Sequence, residues 1–217
     1  MPSLRRPVDW VVFDLGETLV DETANWGRWA DHLGVPRLTF FAVLGAVIAA
    51  GRPHTEAFEY FRPGFRFEHE RLLRATPWHV GPEDLYPDAL PTLRQLRSQG
   101  YRLAVMANQP AEVSPFLATL PVDLRATSAE WGLSKPDLRF FQRLLATVGA
   151  EPGRVAYVGD RVDNDVVPAA AAGMVAVHLR RGPWGVLQAG WPGAHVAALQ
   201  INGLDSLSGA LASLRPG

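Results

Sequence analysis

Buried strands and amphipathic helices alternate along most of this chain. "DWVVFDLG" (9–16) is an apolar run that stops on Asp14 and then on a glycine, the pattern of a strand covered on both faces. "DALPTLRQLRSQG" (88–100) places apolar residues at helical spacing, closes on Gly100 and feeds a second apolar strand, "YRLAVMAN" (101–108). Another helix and strand follow in "DLRFFQRLLATVG" (137–149) and "RVAYVGD" (154–160), then a short helix in "DVVPAAAAGM" (165–174) and a strand in "VAVHLR" (175–180). This alternation predicts an α/β fold, a Rossmann-like parallel sheet with helices on both faces. Ligands bind such sheets beyond the carboxyl ends of the strands, and Asp14, Asn108 and Asp160 all fall there.

One segment breaks the rhythm. "NWGRWADHLG", "RLTFFAVLGAVIAAG", "TEAFEYF" and "FEHERLLRATPW" read as helices with no strand between them. They predict a helical cap at 22–83, inserted into a core formed by 1–21 and 84–217. Trp26 and Trp29, one helical turn apart, are expected in the core of that cap. The apolar stretch 40–50 is expected there too, although it would also serve a dimer, so monomer and homodimer both stay open. The arginines of the cap (Arg52, Arg62, Arg66, Arg71) are expected to pair with nearby acids or to lay their stems over apolar surface, more than to grip a substrate. The tail carries a weak strand near 195–201 and a last helix near 207–214.

Composition narrows the function. The 217 residues are 47% hydrophobic, enough for a sizeable core. The longest apolar stretch is too short to span a bilayer, and the first ten residues lack a signal-peptide run, so no membrane partner is expected. A net charge of −1, with acids and arginines interspersed, offers no footprint for nucleic acid. The absence of cysteine excludes disulfides, a thiolate nucleophile and a cysteine-based zinc site, and it suits a reducing, cytoplasmic location. Of 21 basic residues, Lys135 alone is lysine, which reads either as a place where arginine does not serve or as a chance survivor of an arginine-rich composition.

Carboxylates from two strand ends, Asp14 and Asp160, with Asp163 and Asp165 just downstream, form a set of oxygen ligands suited to a hard cation such as magnesium. Asp165 alone would read equally well as a helix cap. The order Asp-x-Gly-x-Thr, "MAN", "SKPD" and "GDRVDND" resembles the haloacid dehalogenase superfamily over nearly the whole chain. The resemblance implies a phosphatase-like branch with a helical cap, acting on a small-molecule phosphate ester. It implies Asp14 as a nucleophile that is transiently phosphorylated, Thr18 as a brace of the same loop, and Lys135 as the cation that holds nucleophile and phosphoryl group together. The phosphate-binding slot falls at Ala107 and Asn108. Mg2+ would be held by Asp14, the backbone carbonyl of Gly16, Asp160 and Asp165.

Two positions depart from that pattern. Gly16 stands where a second aspartate normally protonates the leaving group and activates water, and Ala107 stands where a hydroxyl normally meets the phosphoryl oxygen. General acid–base help is worth about 10² to 10⁴-fold, so slow hydrolysis is expected, and Gly16→Asp is expected to speed it for poor leaving groups. The alternative is a non-catalytic phospho-ligand or partner-binding protein on the same fold.

Overall fold

The computed structural model describes residues 6–73 and 79–214. Its centre is a parallel sheet of six strands: β1 (Trp10–Phe13), β2 (Arg102–Ala107), β3 (Leu124–Thr127), β4 (Val155–Gly159), β5 (Val175–Leu179) and β6 (Leu199–Ile201). They lie in the order β3-β2-β1-β4-β5-β6, so the chain reverses its winding direction beside β1, with β2 on one side of it and β4 on the other. That reversal opens a crevice at the carboxyl ends of β1 and β4.

The strands are apolar throughout because both faces are covered. Val11, Phe13, Leu103, Val105, Val158 and Leu179 point to one face and pack against α5 (Ala89–Ser98) and α11 (Leu207–Ser213). Trp10, Val12, Ala104, Met106, Val155 and Tyr157 point to the other, against α8 (Leu138–Val148) and α9 (Val167–Ala171). Helix α8 shows why the sequence stops where it does. Asp137 caps it by accepting from the N–H of Arg139 at 2.9 Å, Phe140, Phe141, Leu144 and Val148 form its buried stripe, and Gly149 ends it in the left-handed conformation (φ 63°).

The helices read between β1 and α5 are present: α1 (Thr23–Leu33), α2 (Arg37–Ala49), α3 (Glu56–Glu59) and α4 (Phe67–Leu73). The end of the last expected helix, 74–78, lies outside the described residues. These helices have a core of their own. Trp29 is buried with ring centroids 5.3 Å from Phe58, 6.0 Å from Phe65 and 4.8 Å from Phe67. Truncating a buried aromatic of this size costs about 3–5 kcal/mol. Trp29→Ala should therefore lower the denaturation midpoint sharply, and a loss under about 1 kcal/mol would mean that this cluster is not tightly packed.

The structure adds elements that the pattern did not predict: β3, the four-residue helices α6 (Ser114–Leu117) and α7 (Ser128–Trp131), and α10 (Gly182–Leu187). The weak strand at the tail is confined to β6, and 192–196 forms a tight 3-10 turn before it. Trp184 of α10 joins the aromatic cluster of the helical segment, bridging it to the sheet. Among the described residues no single helix is long and apolar enough to cross a membrane.

Candidate active site

After β1 the chain folds back on itself. The N–H groups of Leu19 and Val20 donate to the carbonyl of Leu15 at 2.8 and 2.9 Å, which sets Gly16 beside Val20. Glu17, and not Gly16, takes the left-handed backbone here (φ 51°). Its buried carboxylate accepts from the Tyr86 hydroxyl at 2.7 Å and from the N–H of Glu22 at 3.0 Å, joining the loop to the start of α1 and the approach to α5. Arg181, just past β5, donates to the carbonyl of Thr18 at 3.1 Å, pairs with Asp88 and lies over the Tyr86 ring. Thr18 is fully buried, and its hydroxyl has no hydrogen-bond partner among the described residues. The bracing expected of Thr18 therefore comes from its backbone.

Asp14 leaves β1 with its N–H bonded to the carbonyl of Val158 in β4 at 2.9 Å. Its Oδ1 lies 2.8 Å from Nζ of Lys135, and the same Nζ lies 2.5 Å from Oδ1 of Asp165. The lysine side chain is wholly buried. Burial alone would pull its pKa down, but the charges of Asp14 and Asp165 outweigh burial and hold the ammonium well above the usual lysine range. Asn108 fixes the lysine loop. Its amide donates to the Lys135 carbonyl at 2.9 Å and accepts from the Lys135 N–H at 2.8 Å. Asn108 also lines the cavity described below, so it positions the lysine as well as facing the site.

Asp165 sits in a single π-helical turn (Val162–Val166), and its Oδ2 accepts from the N–H of Arg161 at 3.0 Å. A Cβ at Gly159 would collide with this carboxylate, so the glycine that ends β4 is what lets Asp165 approach. Asp163 turns outward and pairs with Arg161 at 2.8 Å. Asp160 is buried, and its Oδ2 has no hydrogen-bond partner among the described residues. Carboxylate oxygens of Asp14, Asp160 and Asp165 all lie within 4.8 Å of one another. Burial first, then the neighbouring acids, pushes the Asp160 carboxyl well above its ordinary range. Burial and Asp14 push Asp165 up to about 6, against the pull of Lys135.

Asp14 and Asp160 open on a cavity of about 410 Å³. Asp14, Gly16 and Asp160 line it from the sheet, and Trp26, His54 and Arg71 line it from the helical segment. Burial lowers the His54 pKa to about 4, so its ring is neutral near pH 7. Trp26 thus serves the cavity as well as the aromatic core. Arg52 pairs with Glu56 and Arg62 with Glu70, as expected of these arginines, although both lie in turns between helices. Ala107, buried at the end of β2, brings no polar side chain, whereas Ser128 and Ser134 do line the cavity.

Sequence reasoning missed Glu22. Position 22 entered only as the first residue of the expected cap, yet the Glu22 side chain is buried in the cavity wall, and burial followed by Glu17 and Asp14 pushes its carboxyl up to about 8. A Cβ built at Gly16 would stand 2.5 Å from Oε1 of Glu22. The space that a side chain at Gly16 would need is already taken by a carboxyl.

The chain is similar to known proteins in sequence and in fold. The "Glyceraldehyde 3-phosphate phosphatase" of Methanopyrus kandleri is 35% identical over 105 residues, which cover 46% of this chain and 45% of that protein. The protein of the same name from Methanothermobacter thermautotrophicus is 29% identical over 198 residues, 77% of this chain and 83% of that protein. The chain thus spans about half the length of the first of these relatives and most of the second. A crystal structure described as a dehalogenase superposes over 95% of this chain and 98% of its own, with a TM-score of 0.65 at 21% identity, which is a likeness of fold. Residues 8–173 match the model of the haloacid dehalogenase-like hydrolases, and the chain belongs to that family.

Proposed function

We propose that this chain is a magnesium-dependent phosphohydrolase that transfers the phosphoryl group of a small phosphate ester to Asp14 and then to water. The observation that carries the reading is the buried Lys135 ammonium shared between Asp14 and Asp165, beside Asp160, with Asp14 and Asp160 facing the cavity. Lys135 orients the Asp14 carboxylate, and it offers positive charge where phosphoryl oxygens would gather. The phosphatase names of the relatives support a phosphate ester as substrate.

The residues fit a divalent cation. Three carboxyls face one ammonium in a buried cluster, so ionising all three would leave two negative charges for a cation to offset, and Asp160 Oδ2 has no partner among the described residues. Asp14, Asp160, Asp165 and the Gly16 carbonyl would hold magnesium. When bound, the ion would supply charge compensation to the phosphoryl oxygens. Millimolar magnesium should raise the melting temperature and EDTA should reverse the rise, because a ligand that binds only the folded state stabilises it by mass action. An unchanged melting temperature would contradict the metal site.

In the same reading, the helical segment 22–83 is a cap over a core formed by 1–21 and 84–217. Its Trp26, His54 and Arg71 would meet the organic part of the substrate. Gly16 and Ala107 favour a second reading, a phospho-ligand binder without turnover. Release of inorganic phosphate from p-nitrophenyl phosphate with magnesium separates the two: the binder would hold phosphate analogues and release nothing. With no acid at Gly16, turnover that depended on the 14–21 loop alone would be slow and best on good leaving groups.

A further inference from the structure

We propose that Glu22 is the general acid and base of this site, a role that rests on the phosphohydrolase reading. Four carboxyls line the cavity: Asp14, Glu17, Glu22 and Asp160. Asp14 is the nucleophile. Asp160 belongs to the acidic cluster with Asp165, and both oxygens of Glu17 are engaged, one by the Tyr86 hydroxyl and one by the Glu22 N–H. Glu22 is the carboxyl that remains, set in the cavity wall beside the Trp26 and Gln109 side chains. The hydrogen bond from its own N–H to Glu17 anchors its backbone, and its carboxyl reaches back over Gly16, two residues from the nucleophile. Gly16 is in ordinary right-handed or extended backbone, so no turn geometry demands glycine there. The missing side chain is what admits the Glu22 carboxyl.

The chemistry balances with this assignment. An Asp14 oxygen forms a bond to phosphorus as the bond from phosphorus to the ester oxygen breaks, and the departing oxygen takes the Glu22 proton to leave as an alcohol. Water then attacks the phosphorus of the aspartyl phosphate and gives a proton to the Glu22 carboxylate. The bond from phosphorus to Asp14 breaks, which returns the Asp14 carboxylate, inorganic phosphate and a protonated Glu22. Glu22 is also the last residue before α1, so the acid sits where the sheet's loop passes into the helical segment.

The assignment changes what Gly16→Asp should do. A side chain there meets the Glu22 carboxyl, so the single substitution should give little gain over the wild type. Removing the glutamate at the same time should let the aspartate take over.

The test measures kcat/KM, which reports phosphoryl transfer to Asp14, for phosphate monoesters from p-nitrophenyl to simple alkyl, with magnesium. Glu22→Gln keeps the shape of the side chain. It should lose about 10²-fold or more on alkyl esters and far less on p-nitrophenyl phosphate. Gly16→Asp/Glu22→Ala should recover most of the alkyl activity that Glu22→Ala loses. Equal losses along the series in folded Glu22→Gln, or no rescue in the folded double variant, would overturn the assignment. If Asp14→Asn silences the enzyme and Glu22→Gln does not change the series, only the role of Glu22 fails. If the wild type releases no phosphate that depends on Asp14, the phosphohydrolase reading fails and takes this one with it.

Discussion

Asp14→Asn should abolish magnesium-dependent phosphate release, a loss on the order of 10⁴-fold or more, because it removes the atom that attacks phosphorus. The amide is nearly isosteric, so shape is kept. Lys135 loses one of its two carboxylate partners but keeps Asp165 at 2.5 Å, so its buried ammonium does not become an unpaired charge. Removing one of three clustered acids also relieves their mutual repulsion. The variant should therefore fold and melt within a few degrees of the wild type, which separates loss of chemistry from loss of structure. Phosphate release that persists in the folded variant would show that another group attacks phosphorus.

Lys135→Arg should cost about 10² to 10³-fold in turnover, comparable to losing one preorganised charge from a reacting centre. The reason is geometric. The ammonium is a compact point charge within 2.8 Å of one carboxylate and 2.5 Å of another, in a space with no exposure to solvent. A planar guanidinium spreads its charge and needs more room, so it would push Asp14 or Asp165 out of place. Overpacking of this kind costs roughly 1–3 kcal/mol, a modest fall in melting temperature that does not unfold the chain. A variant with normal turnover would show that any cation suffices here.

The legibility of this molecule in its sequence follows from how far each signal reaches along the chain. β1, β2, β4 and β5 were readable because both of their faces are buried, which writes an unbroken apolar run. β3 is four residues at the sheet edge with two of them buried, too short and too exposed to carry such a run. Helix α10 was hidden in a stretch of glycine, proline and tryptophan, and only its packing against the helical segment explains the burial of Trp184.

The candidate site divides in the same way. Asp14 follows β1, Asp160 and Asp165 follow β4, Lys135 lies in the loop after α7, and the order of motifs pointed to them; the structure brings all four together. Asp163, from the same short stretch, faces outward instead, because the π turn aims Asp165 inward and leaves its neighbour two residues back on the other side. The meaning of Gly16 was not readable. The sequence shows a missing side chain, whereas the structure shows a carboxyl from six residues further on filling the gap. That contact exists only because the loop folds back at Val20 and the chain turns into α1 at Thr23.

If Asp14 carries the phosphoryl group during turnover, chemical trapping should find it there. Protein turning over p-nitrophenyl phosphate with magnesium would be quenched in acid, reduced with borohydride and mapped by peptide mass spectrometry, since borohydride converts an aspartyl phosphate to homoserine. Homoserine is expected at position 14, dependent on substrate and magnesium, and more of it in Glu22→Gln, where water lacks its base. Active enzyme that yields no homoserine, or yields it at another aspartate, would contradict the account.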